Sequence, residues 1–313
     1  MQTFSGIVIR SFGAQYRVRT PEGRELDCLL RGKFRLLDLN TTNPVAVGDR
    51  VHGGFEDAGA VINEIEPRTN ALLRKSTRSG TEVQMLAANL DQALLVAPLK
   101  EPHTPLGYID RFLVMCEAYG IPALLLLNKV DLLTKDRDLD KLNDYLSNYS
   151  KIGYTILPCS ALDPDFPPLL AALLHNKTTF LAGLSGSGKS TLINTVAPEL
   201  NLKTGTISKH TQKGRHTTTY AGLYELPFGG AVVDAPGFKE FEVVGIHKRE
   251  LGHYFPEMRA LLNQCHYDDC LHNTEPGCVV RLAAEEGRIA HHRYNVYLNI
   301  LETMDEPQNH RKG

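Results

Sequence analysis

Gly183-Leu184-Ser185-Gly186-Ser187-Gly188-Lys189-Ser190 decides how this chain is read. The octapeptide fits G-x-x-x-x-G-K-[ST], follows the apolar run at 179–182 and opens a segment of helical character at 191–196. Glycines let backbone N–H groups turn inward around phosphate oxygens, and the helix N-terminus adds the positive end of its dipole. Lys189 offsets charge on the β- and γ-phosphates, the Ser190 hydroxyl is suited to magnesium, and Thr191 continues the phosphate-facing turn. A ligand-free Gly/Ser turn is the alternative, and a complete motif between a strand and a helix speaks against it.

Further motifs lie on both sides. Downstream, Asp234-Ala235-Pro236-Gly237 ends an apolar strand at 231–233, so Asp234 is expected to hold magnesium, through water, and the Gly237 amide to meet a γ-phosphate. Upstream, Asn128-Lys129-Val130-Asp131 ends a strand at 123–127. The Asp131 carboxylate can accept both donors that guanine offers and adenine lacks, and a buried acceptor left unpaired penalises the wrong base. Ser160-Ala161-Leu162, after a strand at 154–158, has the look of a loop that offers backbone N–H to the guanine carbonyl. In ordinary GTPases the phosphate loop comes first and the guanine motifs last. Here that order is reversed, so the sequence predicts a circularly permuted P-loop GTPase domain binding GTP or GDP. Close termini in the parent fold make such a permutation feasible.

Between the phosphate loop and Asp234 runs 201–220, basic and without an acidic residue, which reads as a switch segment. Thr217 or Thr218 within Gly214-Arg215-His216-Thr217-Thr218-Thr219 is expected to close onto magnesium, and the residues do not choose between the two. Phe238 stands where many GTPases carry a water-orienting glutamine. Another group must then position the water, and His216 is the nearest candidate in sequence for that catalytic role.

The flanks differ in character. Residues 1–68 show about five short strands, at 6–10, 15–20, 25–30, 49–52 and 60–65, with turn signals at Pro21-Glu22-Gly23, Gly48-Asp49 and Gly53-Gly54. Five strands predict a small barrel, OB-like first and SH3-like second. Residues 69–240 alternate buried-length strands, at 92–97, 123–127, 154–158, 178–182, 223–226 and 231–233, with helices near 109–119, 137–148, 166–174 and 189–196, an α/β pattern. Residues 241–313 read as mostly helical, with apolar positions at helical spacing over 251–262 and 294–301.

Cys265, Cys270, His272 and Cys278 interrupt that last segment as C-x4-C-x-H-x5-C. Three thiolates and an imidazole suit one closed, structural zinc site that staples a small domain. Buried free cysteines are the alternative, and His266 competes with His272 for the fourth position.

Composition bounds the rest. A net charge of −2 excludes a globally basic nucleic-acid binder, 42% hydrophobic residues fit a folded protein, and no apolar run is long enough to span a bilayer. The six cysteines are not arranged as a secreted disulfide framework. The expectation is a cytoplasmic protein with no membrane partner. Arg10, Arg17, Arg19, Arg24, Arg31, Lys33 and Arg35 give the barrel a local basic character that could track RNA phosphates.

These motifs in this order, with the barrel before them, the Gly-Arg-His-Thr-Thr-Thr segment and the Cys/His cluster, resemble the bacterial ribosome small-subunit-dependent circularly permuted GTPases over nearly the whole chain. That resemblance implies an OB-fold, a zinc domain and His216 as the histidine before the threonines. It also implies a role in late maturation of the small ribosomal subunit. The leading reading is a GTPase that binds that subunit and its rRNA, with subunit-stimulated hydrolysis coupled to release; a monomer is expected. Two other functions are weighed against this. A metabolic nucleotide-dependent enzyme would need a second substrate pocket, yet every motif serves nucleotide, magnesium or zinc. A GTP-dependent RNA-binding module with little catalysis is the other, left open by the missing glutamine.

Overall fold

The structure, a computed structural model, describes residues 2–31, 44–57, 59–75, 83–202, 221–235, 241 and 243–304. The first five strands are β1 (Thr3–Phe12), β2 (Gln15–Arg19), β3 (Glu25–Leu30), β4 (Arg50–Glu56) and β5 (Gly59–Ile65). They follow one another as β1-β2-β3-β5-β4, and β4 pairs back onto β1, so the sheet closes into the expected OB-like barrel. Alternation does the sorting: Tyr16 and Val18 of β2 point inward with Val8, Cys28, Val51 and Ile62.

One turn signal reads differently in space. Gly53-Gly54 lies inside β4 and does not end it. A Cβ on Gly53 would stand 2.3 Å from both the Phe4 ring and the Val61 carbonyl, so glycine here marks a close approach across the strand. Two strands absent from the sequence reading, β6 (Ala71–Lys75) and β7 (Val83–Ala88), form an antiparallel pair beside the barrel, with Val47 bridging Ala87. The buried Asp49 carboxylate fastens this junction, accepting from Arg68 Nε at 2.7 Å, Arg68 Nη2 at 2.8 Å and the Ala46 N–H at 2.8 Å.

The α/β region continues through β8 (Gln92–Val96), α1 (Leu106–Ala118), β9 (Ala123–Leu127), α2 (Asp136–Ile152), β10 (Thr155–Pro158), α3 (Phe166–Leu174), β11 (Thr178–Ala182), α4 (Lys189–Val196), β12 (Gly222–Glu225) and β13 (Ala231–Asp234). The strand order is β10-β9-β8-β11-β13-β12, parallel except for β12. Strand β8 is buried along its whole length because helices cover both faces. On one face pack Ile109, Phe112, Tyr145 and Tyr149 of α1 and α2 with Leu72 and Leu86 of the β6/β7 pair. On the other lie Phe166 and Leu170 of α3 with Leu192 and Ile193 of α4. Arg10 of β1 pairs with Gly222 of β12, so barrel and parallel sheet form one eleven-stranded sheet.

The C-terminal region is helical but more broken than the periodicity over 251–262 predicts. It has a 3-10 helix, Lys248–Tyr254, then α5 (Pro256–Arg259), α6 (Val279–Glu285) and α7 (His291–Thr303). Pro256, at the first position of α5, separates the two short helices. Leu251, Phe255, Met258, Val280, Tyr297 and Ile300 build a core that takes in Val114 of α1. Arg293 is fully buried at that junction, bonded to Glu257 at 2.6 Å and to Asp110 of α1 at 3.2 Å, with its guanidinium over the Phe255 ring. Tyr149 of α2 donates to the same Asp110 carboxylate at 2.7 Å.

Candidate nucleotide and metal sites

Chain order explains where the site forms. The strands β8, β9 and β10 step outward from the sheet centre; the chain then returns through α3 to place β11 on the other side of β8. The C-terminal ends of β8 and β11 therefore flank a topological switch point, where open parallel sheets bind ligands. Asn128 follows β9, Ser160 follows β10, Gly183 follows β11 and Asp234 ends β13, so motifs distant in sequence share one edge.

The phosphate loop has the backbone its motif demands. Gly183, Gly186 and Gly188 have φ of 139°, 80° and 101°, conformations that side chains resist. A Cβ on Gly183 would meet the Val96 carbonyl at 2.4 Å, and one on Gly188 would meet Asn128 Nδ2 at 2.2 Å. The buried Asn128 amide instead donates to the Ser187 carbonyl at 2.8 Å, tying the guanine motif to the phosphate loop. Lys189 Nζ donates to the carbonyls of Gly183 and Leu184 at 2.8 and 3.1 Å, within the cradle. Burial lowers the Lys189 pKa and the Asp234 charge draws it back up; burial raises Asp234, which Lys189 draws back down. The two are thus electrostatic partners at the mouth of the loop. Ser190 is half-buried in the first turn of α4, while Ser185 and Thr191 are exposed.

On the base side, the exposed Asp131 sits in a short 3-10 turn, Val130–Leu132, and accepts from Ser160 Oγ at 2.5 Å. Ser160 Oγ also accepts from the Leu162 N–H at 3.1 Å, which shapes the loop around Ala161. Cys159 contributes a buried thiol 3.7 Å from Asn128 Oδ1, a partner that no motif signals. Lys129 donates to the Glu101 carbonyl in the segment after β8, and this segment too was silent in the sequence. His216, Thr217, Thr218 and Gly237 lie outside the described residues.

The second cluster is compact. The ligand atoms of Cys265, Cys270, His272 and Cys278 all lie within 4.8 Å of one another. His272 Nδ1 is 3.5 Å from Cys265 Sγ and 3.6 Å from Cys278 Sγ, and those sulfurs are 4.0 Å apart. Bonds of about 2.3 Å to sulfur and about 2.0 Å to nitrogen at tetrahedral angles give edges of about 3.8 and 3.5 Å, so the donor set fits a four-coordinate ion such as zinc. His266 is exposed and outside the cluster, which settles the choice between the histidines. Supporting bonds fix the ligands: the N–H of His272 to Cys270 Sγ and of Arg281 to Cys278 Sγ, both 3.3 Å, and Tyr294 Oη to the His272 carbonyl at 2.7 Å. Burial pushes the Cys270 thiol up to about 12 and lowers His272, so a cation would meet a neutral imidazole and draw protons off the sulfurs.

The barrel's basic character is smaller than its composition implies. Arg17 bonds Asp27 at 2.9 Å, and Arg19 bonds Glu25 and Glu225, each at 2.6 Å. Lys33 and Arg35 lie outside the described residues. No helix among the described residues is long and apolar enough to cross a membrane.

Comparison with known proteins agrees with this geometry. The RsgA GTPase family model matches residues 65–244. The small ribosomal subunit biogenesis GTPase RsgA of Bacteroides fragilis is 42% identical over 302 residues, covering 96% of this chain and 97% of that protein. Its namesake in Flavobacterium psychrophilum is 40% identical over 307 residues, covering 96% and 94%. Among solved structures, YjeQ from Thermotoga maritima superposes with a TM-score of 0.73 at 35% identity, covering 96% of this chain and 98% of that one. YloQ, a circularly permuted GTPase, superposes with a TM-score of 0.70 at 30% identity, covering 96% and 94%. The chain belongs to the RsgA GTPase family and is a circularly permuted GTP hydrolase.

Proposed function

We propose that this protein is a GTP-switched assembly factor that binds the small ribosomal subunit and its rRNA late in maturation and leaves when the subunit stimulates hydrolysis. The observation that supports the nucleotide half is the bond from Asn128 to the Ser187 carbonyl, which links the base-reading motif to the phosphate loop. The partner rests on the relatives named small ribosomal subunit biogenesis GTPases. In this reading Asp131 selects guanine, with Ser160 and the Ala161 amide beside it. Residues 183–191 hold the phosphates, and Ser190, Asp234 and one of Thr217 and Thr218 hold magnesium. Gly237 senses the γ-phosphate and His216 positions the attacking water. Magnesium supplies charge neutralisation at the β- and γ-phosphates when bound; the chain's own groups orient the nucleotide and hold the ammonium of Lys189 beside it. The Cys/His cluster holds zinc structurally. The working units are 1–68, 69–240 and 241–313, acting as a monomer in the cytoplasm.

The test is GTP turnover with and without purified small subunits. Stimulation by subunits, lost in His216→Ala with GDP binding retained, is the expected result. Turnover that subunits leave unchanged would overturn the assembly reading, and binding without turnover would favour a GTP-dependent RNA-binding module.

A further inference from the structure

The chain leaves β8 where the parallel sheet divides into its base side and its phosphate side, and residues 97–105 cross that divide before α1 begins. This segment is built as a unit, the Thr104 N–H closing on the Pro98 carbonyl at 3.0 Å. Two lysines tie it to the base side in opposite directions. Lys129 reaches out of the guanine motif to the Glu101 carbonyl. Lys100 reaches into it: its Nζ donates to the Leu132 carbonyl at 3.2 Å and to Asp138 Oδ2, in the first turn of α2, at 2.6 Å. On the phosphate side, Pro102 Cδ lies 3.7 Å from where a Cβ of Gly186 would stand.

The Lys100 contacts are not ordinary surface pairing. The Lys100 and Asp138 side chains are 34% and 13% exposed, so solvent screens them less than a fully exposed pair. The hydrogen bond from Lys100 is the foremost cause that holds the Asp138 carboxyl below its usual range. The 3-10 turn is anchored on its other side by the Val130 N–H to the Cys159 carbonyl at 3.2 Å and by Ser160 Oγ to Asp131. Lys100 is the anchor facing α2.

We propose that Lys100 is a positioning residue for guanine recognition, holding the Val130–Leu132 turn so that the Asp131 carboxylate is presented to the base. It touches no nucleotide and acts through the turn. Without it, a smaller fraction of molecules presents Asp131 correctly, and the apparent dissociation constant rises by the inverse of that fraction. The inference rests on the reading of Asp131 as the guanine selector.

Equilibrium binding of fluorescent N-methylanthraniloyl-GDP to the full chain tests it, alongside single-turnover hydrolysis of bound GTP and nucleotide-free melting. Loss of a charge-assisted bond predicts about ten-fold weaker binding for Lys100→Ala, with the hydrolysis rate of bound GTP unchanged. Lys100→Arg, which keeps charge and reach, recovers most of the affinity. Asp138→Asn weakens binding on its own and adds little in the Lys100→Ala background, as coupled partners do. That variant also carries the test should Lys100→Ala fail to fold. Wild-type affinity in Lys100→Ala, an equal loss in Lys100→Arg, or a hydrolysis rate that falls with affinity would each overturn the assignment. Asp131→Asn separates the two levels. If it leaves GDP binding unchanged, the base reading fails and takes Lys100 with it; if it weakens binding while Lys100→Ala does not, only the role of Lys100 is lost.

Discussion

A single hydrogen at position 188 keeps the two halves of the nucleotide site in contact. Gly188 has φ of 101°, and a methyl there would stand 2.2 Å from the Asn128 amide nitrogen, the group that donates to the Ser187 carbonyl. Gly188→Ala therefore combines backbone strain with the displacement of Asn128. GDP affinity should drop by more than about ten-fold in calorimetry, and the melting temperature of the nucleotide-free protein should fall by several degrees. The motifs stand out in the sequence because they are defined by residue types at fixed short spacing. Their partners do not: Cys159 beside Asn128 and Glu101 beside Lys129 belong to no motif, and only the folded chain brings them within reach.

At the scale of elements, apolar runs of buried-strand length foretold β8, β9, β11 and β13, because a strand covered on both faces has no polar alternation to blur it. The β6/β7 pair leaves no signal in the sequence because its apolar residues follow neither period. Gly53-Gly54 has the sequence look of a turn because a glycine needed for close approach is the same residue as one needed for a bend. The cysteine cluster has little regular structure around it: Cys265 and Cys270 lie in irregular chain, and Cys278 caps a helix. Stripping metal with a chelator at neutral pH should lower the melting temperature of the protein and raise amide exchange over 262–278, with exchange at 183–191 unchanged. Removing the ion leaves three thiols and an imidazole crowded without a common partner. Unaltered exchange over 262–278 after demetallation would argue that packing alone holds the loop.

In the whole molecule, the three regions are less separate than their sequence characters. The barrel joins the parallel sheet through Arg10 and Gly222, and the C-terminal core takes Val114 from α1. Arg293 is the charged pin of that second junction, fully buried between Glu257 and Asp110. Arg293→Met removes the cation from between two carboxylates and should cost about 3 kcal/mol or more in urea unfolding. Arg293→Lys, which keeps the charge but loses the fork, should fall between it and wild type. Equal stability of all three would show that the pair is a spectator. What the sequence alone determined was the chemistry and its permuted order: phosphate loop, guanine motif, metal-type cysteines and the alternating strands, since these depend on residue type at short spacing. What only the tertiary structure decided was adjacency: which histidine joins the thiols, which arginines are already spent on carboxylates, and which buried charge locks the C-terminal helices to α1. Each of these is set by packing and by the direction a side chain takes in the folded chain, which leave no local period for a sequence to display.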